Sequence, residues 1–137
     1  MNITPDDIEK FFGMTKDEVR RYFGDNYKIG GLGEGGFEYH HSEDTGLRFA
    51  WEDDTLSFIF IWPPNNFEVN GARVGMDFTQ IQEYLGSAEI IETWIEHPEN
   101  VAYKIEYIIG KCTYSFYSTE FNGNNSQLNV LLSNGSM

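Results

Sequence analysis

Basic side chains are scarce in this chain. Nine lysines and arginines stand against 22 aspartates and glutamates, and the formal net charge is -13. A surface of that sign repels a phosphate backbone, which excludes nucleic acid as a partner and favours a basic protein met by electrostatic steering. Cysteine is nearly absent. The single Cys112 cannot close an internal disulfide, so a stapled secreted scaffold is excluded. Long apolar runs are missing too. The longest, Leu56 to Trp62, is far too short to cross a bilayer, and no membrane association is expected. The opening M-N-I-T-P-D-D-I-E-K has neither a basic n-region nor an apolar core, so a cytoplasmic protein is expected.

Aromatic residues, by contrast, are plentiful: 11 Phe, 8 Tyr and 3 Trp among 137 residues. Such rings fill cores and also anchor interfaces. A hydrophobic fraction of 40% is ordinary for a folded chain and argues against disorder.

The most informative pattern is an internal echo. Residues 12–24 read F-G-M-T-K-D-E-V-R-R-Y-F-G, and residues 74–86 read V-G-M-D-F-T-Q-I-Q-E-Y-L-G. Gly, Met, Tyr and Gly recur in register, and Val19/Ile81 and Phe23/Leu85 are like-for-like exchanges. Self-similarity at a fixed spacing predicts a repeated structural unit. Thr4-Pro5-Asp6-Asp7 starts a first helix, with Thr4 as N-cap and Pro5 in the first turn. Thr15 with Glu18 forms a capping box for a second, which Gly24 ends. Asp77 caps the matching helix of the second half, and Gly86 closes it.

Strand signals follow the helices. In the first half they cover 27–32, 37–41, 47–51 and 56–62; in the second, 89–96, 101–109, 112–118 and 127–132. Pro63-Pro64-Asn65-Asn66 interrupts them and serves as the joint between halves. The expected fold is α+β: two pseudo-repeats of helices packed on one face of an antiparallel meander, joined into one sheet. Repeat 1 spans about residues 3–65 and repeat 2 about 66–132 of a single domain, with 133–137 as a flexible tail. Alternation places Leu47, Phe49 and Trp51 on one face. It groups Leu56, Phe58, Phe60 and Trp62 opposite Ser57, Ile59 and Ile61. The richer face is expected to meet the helices. The other, carrying Ile59, Ile61, Trp94 and Tyr117, is the candidate binding surface.

The pattern G-M-[ST]-x-x-[EQ]-[VI]-x-x-x-[LF]-G, followed by a meander, resembles the repeat of the beta-lactamase inhibitor protein and of the BamE-like outer-membrane lipoproteins. Gly13, Met14, Thr15, Glu18, Val19, Phe23 and Gly24 carry it once; Gly75, Met76, Asp77, Gln80, Ile81, Leu85 and Gly86 carry it again. The resemblance implies a continuous sheet used to bind protein. The chain departs from it in having no lipoprotein cysteine and no paired cysteines, so beta-lactamase is not carried over as a target.

Reactive chemistry is thin. Gly31-Leu32-Gly33-Glu34-Gly35-Gly36 matches G-x-G-x-x-G, but a strand-like segment follows where a dinucleotide site needs a helix, so a hairpin loop is expected and no cofactor. His40 and His41 are neighbours on a strand and face opposite ways, which disfavours a shared metal. Cys112 reads as a small core residue. Glu43, Asp44, Glu52, Asp53 and Asp54 cluster on turns and offer an acidic rim. These features point to a non-enzymatic module, an immunity or inhibitor protein that occludes a basic toxin or nuclease domain. The residues expected at the contact are Trp51, Asp53, Asp54, Trp62, Trp94, Glu96, Tyr103 and Tyr117. The alternative is a small-ligand or peptide binder using the sheet concavity.

Overall fold

The computed structural model describes the chain except for residues 1–2, 34–35, 43–44, 64, 95–98 and 134–137. Two short helices open it, α1 (Pro5–Phe11) and α2 (Lys16–Phe23). Both start on reciprocal capping boxes. The Thr4 hydroxyl accepts from the Asp7 N–H at 3.2 Å, and the Thr15 hydroxyl accepts from the Glu18 N–H at 3.2 Å. Strands β1 (Tyr27–Leu32), β2 (Glu38–Ser42), β3 (Leu47–Glu52) and β4 (Thr55–Ile61) form a meander. A small hairpin, β5 (Glu68–Val69) and β6 (Ala72–Arg73), precedes α3 (Phe78–Leu85). The Asp77 carboxylate caps α3 by accepting from the Gln80 N–H at 2.8 Å. Its backbone angles, φ -79 and ψ 168, equal those of Thr15. A second meander completes the chain: β7 (Ile91–Trp94), β8 (Val101–Ile109), β9 (Cys112–Ser118) and β10 (Gln127–Leu132).

The fold is α+β, with eight strands in one antiparallel sheet ordered β1-β2-β3-β4-β10-β9-β8-β7. The junction is the β4–β10 pair, where Leu128 lies opposite Ile61 and Val130 opposite Ile59. Two rows of side chains run across this junction into the core. Leu47, Ile61, Leu128, Phe116 and Ile105 form one; Phe49, Ile59, Val130 and Tyr114 lie in the other. All nine are buried. Helices and hairpin meet this face. Phe11 and Phe23 pack their rings on Phe49, and Phe67 stacks on Tyr114 at 6.1 Å.

The alternation reading of β4 needs correction. Ala50 pairs with Phe58, but Trp51 pairs with Leu56, so Ser57 is an extra residue without a partner. A bulge shifts the side-chain phase by one position. Leu56, Ile59 and Ile61 therefore enter the core, each at most 3% exposed, while Phe58 and Phe60 turn to the opposite face. Ile59 and Ile61 do not contribute to the open surface. The β5–β6 hairpin was also not anticipated, although Asn70-Gly71 is a strong two-residue turn signal; both residues have positive φ, 49° and 97°.

Candidate functional site on the open sheet face

The sheet face away from the helices carries a connected set of rings. Phe37 meets Phe58 at 5.0 Å, Phe58 meets Phe60 at 5.9 Å, and Phe60 stacks on Trp62 at 5.8 Å. Tyr39, on the neighbouring β2, stacks on Phe60 at 6.4 Å. The i, i+2 spacing along β4, set in phase by the Ser57 bulge, is what lines them up. Trp62 is tied across the junction: its indole N–H donates to Gln127 Oε1 at 3.2 Å, and Gln127 donates to Asn129 Oδ1 at 2.7 Å. The Trp62 backbone N–H donates to the Gly46 carbonyl at 2.8 Å. Gly46 has φ +72, and a Cβ there would collide with the Trp62 carbonyl oxygen, so this contact requires glycine.

Cations sit among the rings. The Arg48 guanidinium lies 5.0 Å from the Trp62 ring centre and 5.6 Å from that of Tyr39. Arg48 is exposed, and its cross-strand neighbours are His41 and Phe60. Lys104 lies 5.9 Å from the Tyr117 ring and is ion-paired with Glu106. Aromatic rings with arginine form the composition enriched at the centres of protein contacts.

The residues expected at a contact fall in several places. Trp62 and Tyr117 share the open face, half-buried, with Gln127 opposite Tyr117. Trp51 does not join them: it is fully buried on the helix side, where its indole donates to Tyr27 Oη at 3.2 Å. Trp94 pairs with Val101 on the edge strand β7 and is 54% exposed, in phase with the helix side rather than the open face. Tyr103 is also on the helix side, its ring edge-on to Phe121 at 5.6 Å. Asp53 is in the β3–β4 turn at φ 54. Asp54 accepts from the Lys16 N–H at 3.0 Å and so fastens that turn to the start of α2. Glu96 lies outside the described residues, as do His97, Glu43 and Asp44. Arg48, Tyr39, Phe58 and Phe60 were missed. The bulge that exposes the two phenylalanines has no sequence signature, but Arg48 between Leu47 and Phe49 was already in phase with an open face.

A second polar cluster lies in the core side of β1–β3. Buried His40 bonds Tyr27 Oη through Nδ1 at 2.8 Å and Glu38 through Nε2. Lys16 Nζ reaches the other Glu38 oxygen at 3.1 Å. The bonds from His40 and then Lys16 hold the Glu38 carboxyl below its ordinary value of 4.5. Burial raises the Tyr27 hydroxyl well above its usual range. Both imidazole nitrogens are occupied and the ring is 2% exposed, so the cluster ties strands to α2 and has no free valence for substrate. Cys112 is fully buried, its thiol pushed up to about 11 by burial and by Glu9. Among the described residues, no cluster of three or more His, Cys, Asp and Glu could hold a metal ion. Gly31 and Leu32 end β1, and the element that follows the glycine run is the antiparallel strand β2, not a helix.

No family model, curated protein or solved structure matches this chain.

Proposed function

We propose that the protein is a non-enzymatic binding module, an immunity or inhibitor protein that blocks a toxin or enzyme in the cytoplasm by occlusion, and that its contact centres on the open sheet face. One observation carries this reading: the run Phe58, Phe60 and Trp62, flanked by Tyr39 and Arg48, lies on a face opposite all the helices. A connected aromatic patch rimmed by polar groups is the signature of a protein contact. The chain as a whole carries a net charge of -13, which suits long-range attraction of a basic partner such as a nuclease domain. The sheet order, a four-strand meander beside a second run in reverse, supports the pseudo-repeat reading. So do the matching capping boxes of α2 and α3.

The test uses two baits in low-salt lysate of the native organism: the wild-type protein and a Phe60→Ser/Trp62→Ser variant. The expected result is one basic protein retained by the wild type, released by salt and lost from the variant. Hydrogen exchange of the complex should then show protection in β3, β4 and β10. Equal capture by both baits would remove the open face from the contact.

A further inference from the structure

We infer that the partner seats a carboxylate on Arg48, at the centre of an otherwise basic surface. This rests on the binding reading above and names the group that the open face recognises.

Arg48 is held ready for such a group. Two rings lie within 5.6 Å of its guanidinium, Tyr39 and Trp62, and Trp62 is itself fixed by Gln127 and Gly46. The two rings attract the guanidinium and restrict its rotamers, and its exposed planar N–H fork can still bond. Two lysines share the face: Lys104 is already neutralised by Glu106, and Lys28 lies beyond His41 on the edge strand β1. Arg48 forms no ion pair among the described residues.

Docking changes the energetics of that charge. A partner that covers Phe60 and Trp62 also covers Arg48, and a covered, unpaired guanidinium is strongly unfavourable. The partner must therefore bring an anion to that point. A phosphate-rich polyanion is disfavoured by the net charge of -13. The acceptor a protein offers is an aspartate or glutamate side chain, which matches the guanidinium fork in two parallel bonds. The net charge of -13 meanwhile favours a partner that is basic outside that carboxylate. An enzyme cleft with an acid–base carboxylate inside a basic mouth has this charge layout. Arg48 would then reach the partner's reactive group, and occlusion would be inhibition.

Isolated protein and small probes test the inference. The Arg48 Nε–H and Trp62 Nε1–H signals are followed by NMR during titration with indole-3-acetate, indole-3-acetamide or tryptamine, at physiological salt. The acid should bind at least tenfold more tightly than the amide, a difference of about 1.4 kcal/mol. Arg48→Met, which keeps the stem, should erase that preference while leaving the remaining spectrum folded. Arg48→Lys, which keeps charge without the planar fork, should retain only part of it. Equal binding of acid and amide at Trp62 would overturn the carboxylate assignment and leave the docking face standing. A preference for tryptamine, or no shift with any probe, would also overturn it, and the bait comparison would then decide the binding reading independently.

Discussion

Trp51 lies within β3 and Trp62 directly follows β4, and the two have opposite fates. Trp51 is 0% exposed and donates to Tyr27; Trp62 is half-buried on the open face under Arg48. Trp51→Ala should therefore cost about 3–5 kcal/mol, read from urea unfolding, because it leaves a large cavity. Glu38 offers a second test at this scale. Its folded-state value is lowered, so its stabilisation is complete above the ordinary 4.5 and is lost as pH falls through the folded value. With about a third of the side chain exposed, solvent screening holds the contribution to roughly 1 kcal/mol. Glu38→Gln should lose that amount at pH 7, and the difference from wild type should vanish in urea titrations well below pH 4.5.

Among elements, β4 decides which rings the molecule shows. Deleting Ser57 removes only the unpaired residue and leaves Leu56, Phe58 and Ile59 in their present phase. The deletion variant should remain cooperative, within about 2 kcal/mol of wild type. Deleting Asn129, which is paired on both sides, shifts the rest of β10 by one position and should abolish the thermal transition. The β2–β3 turn gives a further check. Gly46→Ala would clash with the Trp62 carbonyl at a positive φ, so a loss of at least about 2 kcal/mol and an altered Trp62 fluorescence maximum are expected.

At the level of the whole molecule, charge and sheet have separate roles. A net charge of -13 produces self-repulsion that salt screens. The melting temperature at neutral pH should therefore rise by a few degrees between about 10 and 150 mM NaCl. The same salt should weaken capture of a basic partner, so folding and binding should respond in opposite directions. A melting temperature that falls with salt would point to stabilising ion pairs outweighing the repulsion.

Local chemistry made the helices and most strands legible. Thr4, Thr15 and Asp77 cap where their side chains can satisfy free N–H groups, and β8, β9 and β10 have the bounds that their alternation indicates. The antiparallel pairing of β1 with β2, the opposed histidines and the buried Cys112 were legible for the same reason, since each follows from nearby residues. What needed tertiary structure was phase and neighbourhood. One unpaired Ser57 reverses the faces of Phe58 and Phe60, and no residue nearby signals it. Whether Trp51 or Trp62 is free depends on the helices and strands packed around each. Arg48 acquires its place between Tyr39 and Trp62 only because β2, β3 and the end of β4 come together in the sheet. Capping and alternation are set by residues within a few positions; the composition of a sheet face is set by strands far apart in the chain.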